Sequence, residues 1–177
     1  MGRITNKIFA KFLTRFRGMA EKTAERATID TETFAFLKEE TPWTSFDIPL
    51  SEAKICIVTT AGVHHTDQEP FDMNDKDGDP SFRVITPADK NRALSLKITH
   101  DYYDHSDADK DMNIVFPIDR LGELKEEGVI GGVTKEHFGF MGHIDGRHID
   151  TFITKTAPEV ARLIKATEAD AVLLTPG

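Results

Sequence analysis

The sequence is poor in what several classes of protein require. Its single cysteine, Cys56, excludes an intramolecular disulfide. Placed inside an apolar strand, Cys56 reads as a buried, inert thiol, and a reducing cytoplasm fits a chain with so little cysteine. No apolar run approaches the roughly 18 residues that a membrane span needs. Low-complexity tracts are absent. Residues 4–26 lack the compact uncharged core of a secretory signal, and Asn6 stands where N-myristoylation requires Ser or Thr. Basic charge is scarce beyond the first helix. Residues 1–26 hold seven Lys and Arg against Glu21 and Glu25, a net of +5, while the remainder holds fifteen against twenty-eight, a net of −13. The main part of the chain is too acidic to suit nucleic acid.

What is present is a soluble composition, 39% hydrophobic and 29% charged over 177 residues, enough for one domain with a real core. Residues 1–27 form a basic amphipathic helix. Ile8, Phe12, Phe16 and Met19 share one face, and Lys7, Lys11 and Arg15 make a basic row. It is read as docking on this protein or a partner rather than on a membrane. Residues 28–177 form the main domain, beginning with a covering segment to Pro49. Strands are expected at Lys54–Thr60, Ser81–Thr86, Leu94–His100 and Ala171–Leu174, while Val129–Val133 and His137–Met141 read as short apolar pieces set among glycines. Helices are expected at Ile118–Glu127, opened by Pro117 and stopped by Gly128, and across Asp145–Lys165, with a break at Pro158. Ala61–Pro80 reads as loop. The alternation gives an α/β fold, a mainly parallel sheet flanked by helices.

Two strands end alike. Ile55–Thr60 runs into Thr60-Ala61-Gly62, and Ala171–Leu174, read as a buried parallel strand, runs into Thr175-Pro176-Gly177. In open α/β sheets the carboxyl ends of strands carry the functional loops. Residues that line one site there are expected to be Thr60, Gly62, His64, His65, Arg83, His100, Asp107, Asp109, Asn113, Thr175 and Gly177, with His64 and His65 as proton-transfer candidates. Thr99–His105 also overlays a metallo-β-lactamase metal motif, with Tyr102 replacing a histidine. A hydrolase holding zinc on His100, Asp104 and His105 is therefore the second enzymatic reading. Asp75-Lys76-Asp77-Gly78-Asp79 is no calcium loop, because its first and last ligand positions fall on Met73 and Val84. No structural metal is expected.

Seven motifs occur in one order: Thr41–Thr44, Val58–His64, Asp79–Arg83, Tyr103–Asp107, Lys110–Leu121, Gly139–Gly142 and Asp170–Gly177. Together they resemble the selenoprotein B family of glycine, sarcosine, betaine and D-proline reductases, most closely its D-proline branch, from about residue 41 onward. The resemblance implies an oxidoreductase subunit that cleaves a C–N bond reductively. It implies selenocysteine, or cysteine, directly after the Leu-Leu-Thr-x-Gly strand. It also implies a partner subunit whose pyruvoyl group activates the substrate amine, and an electron-donating protein that returns the nucleophile to its reduced state. Selenocysteine is encoded by UGA, ordinarily a stop codon. The chain is accordingly expected to be incomplete at its C-terminus, without its nucleophile, and to need no cofactor of its own. A third reading is a non-catalytic, partner-binding domain of the same fold. The missing cover is expected to leave apolar surface beside Val172 and Leu174 and to promote association.

Overall fold

The burial pattern of the first strand, β1 (Lys54–Thr59), organises the domain. All five residues after Lys54 are buried, and they divide by alternation between two cores. Ile55 and Ile57 join Val63, Ile85, Val115, Phe116 and Leu121 on one face of the sheet, while Cys56 and Val58 join Phe138, Phe140 and Val160 on the other. Only a central strand covered on both faces needs so continuous an apolar run. The structure is a computed structural model that describes residues 44–86 and 95–177. The basic amphipathic helix expected over residues 1–27 and most of the covering segment lie outside the described residues.

Along one side of β1 run two short parallel strands in line, β5 (Gly132–Val133) and β6 (His137–Phe140). At the gap between them the Ile57 N–H donates to His137 Nδ1 at 2.9 Å, so an imidazole replaces a ladder carbonyl. The strand β3 (Phe82–Ile85) pairs antiparallel with β6. On the other side of β1 lies the last strand, β7 (Ala171–Thr175), parallel and in register from Ile55↔Ala171 to Thr59↔Thr175. Helix α1 (Ile118–Glu126) covers one face through Leu121 and Leu124. The other is covered by α2 (His148–Thr151), a π-turn at Phe152–Thr156 and α3 (Ala157–Ala166), through Phe152, Val160, Leu163 and Ile164. The architecture is α/β with a mostly parallel sheet.

Several expectations are corrected. The stretch Ala61–Pro80 is not all loop. It contains β2 (Val63–His65), which pairs antiparallel with β4 (Leu96–Ile98) as a separate two-stranded sheet. Three residues, two of them histidine, carry too little apolar signal to read as a strand. The second long helix starts at His148, and its irregularity is the π-turn ahead of Pro158, which sits in the first turn of α3 where its missing N–H costs nothing. Most consequentially, β7 is parallel but not buried. It has no strand on its outer side among the described residues, and Val172, Leu173 and Leu174 are 42%, 37% and 72% exposed. An apolar edge strand is an association surface. Leu174→Lys should change unfolding free energy by no more than about 0.5 kcal/mol while lowering the association state seen by sedimentation velocity. A native chain that already sediments as a monomer at high concentration would show that this edge drives no association.

Candidate functional site

The turns after β1 and β7 meet at the carboxyl end of the sheet. Thr60 donates its backbone N–H to the Thr175 carbonyl at 3.0 Å. The hydroxyls of Thr59 and Thr175 both donate to the carbonyl of Val115, at 3.0 and 2.7 Å, which ties both strand ends to the segment leading into α1. Beyond them, Gly177 passes through a slot. A Cβ on Gly177 would stand 2.5 Å from Ala61 Cα and 3.1 Å from Tyr103 Cε1, so only a residue without a side chain fits. Tyr103 forms the outer wall, donating its hydroxyl to the Ala61 carbonyl at 3.0 Å. Gly62 follows with φ 73°, gives its N–H to Phe140 at 2.8 Å and accepts from Thr99 N–H at 2.9 Å.

A chain of rings borders the slot. His143 lies 4.2 Å from Tyr102 between centroids, Tyr102 6.0 Å from His100, His100 4.8 Å from Tyr103, and Tyr103 5.6 Å from His105. Within it His100 is buried and electrically fixed. The backbone N–H of Tyr102 donates to its Nδ1 at 3.0 Å, which leaves the ring proton on Nε2. Burial, reinforced by the neighbouring His143 and His105, lowers its pKa to about 4, so it is neutral at pH 7. His143 is likewise pushed down by burial, and its Nδ1 is buried without a hydrogen-bond partner. Burial raises the Tyr103 phenol, which stays protonated.

The structure thus brings Thr60, Gly62, His100, Thr175 and Gly177 together. It places the others elsewhere. His64 and His65 are completely buried in the β2–β4 sheet. His64 donates from Nδ1 to the His65 carbonyl and accepts from Thr99 Oγ1, at 2.7 and 2.8 Å. His65 accepts the Thr86 N–H at Nε2 and donates from Nδ1 to Ser95 Oγ. Both rings are structural fasteners with no nitrogen left for proton transfer. Arg83 stacks over Phe71 at 4.4 Å and donates to the carbonyls of Glu69, Pro70 and Phe82 and to Ser81 Oγ. It walls a separate cavity of about 480 Å³ lined also by Asp72, Met73 and Thr99. Asn113 bridges Asp111 and Asp119 and accepts the Asp119 N–H, capping α1. Asp107 pairs with Lys110, and Asp109 with His105 at 2.8 Å.

No group of three His, Cys, Asp or Glu side chains among the described residues is arranged to hold a metal ion, so the hydrolase reading has no ligand set. Cys56 is buried, its thiol pKa raised by desolvation, and its sulfur lies 3.5 Å from the Glu136 carbonyl inside the sheet. No helix among the described residues is long and apolar enough to cross a membrane. Sequence reasoning passed over Ala61 and His143, and it held Tyr103 only as part of the polar stretch His100–Asn113 without singling it out.

A family model described as glycine/sarcosine/betaine reductase selenoprotein B matches residues 36–177. The chain belongs to that family. Among curated relatives, the D-proline reductase subunit gamma of Acetoanaerobium sticklandii is 39% identical over 135 residues, which cover 76% of this chain and 53% of the relative. The glycine reductase complex component B subunit gamma of Symbiobacterium thermophilum is 30% identical, over 77% of this chain and 33% of the relative. The betaine reductase complex component B subunit beta of Peptoclostridium acidaminophilum is 26% identical, over 71% and 28%. The chain therefore spans about half the length of the first of these and a third or less of the others. Its relatives are subunits or components of reductases. No solved structure matches it.

Proposed function

We propose that this selenoprotein B chain forms one wall of a site for reductive C–N bond cleavage, and that the residue following Gly177 in the family, selenocysteine or cysteine, is the nucleophile. The observation that carries the reading is the slot between Ala61 and Tyr103. It holds Gly177 between Ala61 and Tyr103 at the carboxyl end of the sheet, and Tyr103 in turn packs against His100, which supports a nucleophile carried next to this ring wall. A soft nucleophile ionised near neutral pH suits the reaction, and a selenol meets that need without a strong base beside it. A pyruvoyl carbonyl on a partner subunit would withdraw electrons from the substrate nitrogen. This chain's own part is to hold the nucleophile, exclude water with the ring wall and present hydrogen-bond donors. The net change consumes two electrons and two protons: the C–N bond is replaced by C–H and N–H, and a donor dithiol becomes a disulfide.

The test is turnover. The chain extended by cysteine or selenocysteine after Gly177, supplied with the pyruvoyl-bearing subunit and a dithiol, should reduce D-proline, glycine, sarcosine or betaine. The 177-residue chain under the same conditions should reduce none of them. Failure of the extended chain on all four, or equal turnover by both chains, would overturn the reading.

A further inference from the structure

The substrates in the names of the family and its relatives, glycine, sarcosine, betaine and D-proline, differ at nitrogen. Nitrogen is a primary amine in one, a secondary amine in two and a quaternary ammonium in one. What they share is a carboxylate one carbon away. A site common to them must therefore hold the carboxylate, and for that it needs a hydrogen-bond donor not already spent on the protein.

Around the Gly177 slot most side-chain donors are spent. Thr59, Thr175 and Tyr103 give their hydroxyl protons to backbone carbonyls. His105 is paired with Asp109. His100 differs. Its Nδ1 is occupied by the Tyr102 N–H, its proton therefore sits on Nε2, and no described residue accepts it. The position of the ring is set from two sides. A Cβ on Gly62 would stand 3.2 Å from His100 Cβ, and the ring packs edge-on to Tyr103, the residue that walls Gly177. A neutral imidazole locked as an Nε2–H donor, at the end of the sheet where the nucleophile is delivered, is suited to a carboxylate oxygen.

We infer that His100 is the residue of this chain that binds and orients the substrate carboxylate through Nε2–H. This rests on the reductase reading above. Its neutrality fits the surroundings. Asp101, Asp104 and Asp109 lie in the same loop, and so acidic a setting repels a simple anion but tolerates a zwitterion whose positive nitrogen compensates. The predicted ligand class is α-amino acids and betaines, over simple carboxylates and over amines without a carboxylate.

The experiment is a titration of the full chain followed by imidazole ¹⁵N–¹H NMR, with D-proline, pyrrolidine and acetate as ligands. D-Proline should shift the His100 Nε2–H resonance, and pyrrolidine and acetate should bind at least tenfold more weakly. His100→Gln, which keeps an N–H donor, should retain D-proline affinity within about threefold, while His100→Phe should lose at least tenfold. Equal binding of D-proline and pyrrolidine by the native chain, or a His100 ring protonated on Nδ1, would overturn the inference without reference to any variant. Absence of D-proline binding would overturn it too, since it places the carboxylate on this chain. The reductase reading is decided separately, by the turnover assay.

Discussion

Lowering the pH from 7 to 5 should cost the protein about 4 kcal/mol of unfolding free energy, a large share of the roughly 5–15 kcal/mol that holds a typical domain folded. The cause is two buried neutral histidines. Burial lowers His137 to a pKa of about 4, and burial together with His143 and His105 does the same to His100, from an ordinary 6.5. A group whose folded pKa is below its unfolded one takes up protons more readily when unfolded. Its contribution is complete above pH 6.5, falls by about 1.4 kcal/mol per pH unit as the pH drops, and is exhausted near pH 4. His64 and His143, also lowered by burial, act in the same direction. Carboxylates do not confuse this window. Asp75, held down to about 2 by the Asp77 N–H and by His148, loses its share only below about pH 4. Urea unfolding at pH 7 and 5 measures the loss. His137→Asn keeps an acceptor for the Ile57 N–H but does not titrate, and should remove about half of the pH dependence. Stability unchanged between pH 7 and 5 would show that these rings are not buried neutral.

Gly62→Ala should destabilise the domain by about 3 to 5 kcal/mol. At φ 73° a side chain costs about 1–2 kcal/mol by itself. The larger part is contact: the new methyl would stand 2.4 Å from the Thr99 carbonyl oxygen and 2.9 Å from its carbon. These are backbone atoms that cannot rotate away. Relief requires parting β4 from the turn, which breaks the Thr99 N–H to Gly62 bond and moves His100. Gly122, in α1, is the matched control. A methyl there meets nothing within 4 Å, so Gly122→Ala should stabilise by up to about 1 kcal/mol. Thermal unfolding of the pair decides it, and a Gly62→Ala protein as stable as the native one would mean that the turn is free to move.

Much of the frame is legible in the residues because it follows from burial on both faces. The run Ile55–Val58 can only be a central strand, and the span from Pro117 to Gly128 announces α1 at both ends. The meeting of the two Thr-x-Gly turns is legible for the same reason, since parallel neighbours put their carboxyl ends together. The exposure of β7 is not legible, because Ala-Val-Leu-Leu reads the same at the centre of a sheet as at its edge. Nor is the role of His64 and His65. A histidine pair after a strand has the composition of a catalytic loop, and only the complete burial and the ring hydrogen bonds of both residues show that they serve the fold. His100 was accessible as a candidate, but its fixed tautomer depends on a backbone N–H two residues away that no spacing reveals.

The doubly used carbonyl of Val115 has a consequence for the order of folding. It collects hydroxyls from Thr59, 56 residues earlier, and Thr175, 60 residues later. The two turns therefore cannot lock until the loops on both sides have closed, and long-range closure is the slow part of assembling a fold. The hydrophobic face under α1 can collapse first, with the ends of β1 and β7 still frayed. Hydrogen exchange should accordingly find the Thr60 amide opening at lower free energy than the middle of β1, so the slot at Gly177 is the last part of the molecule to set and the first to loosen.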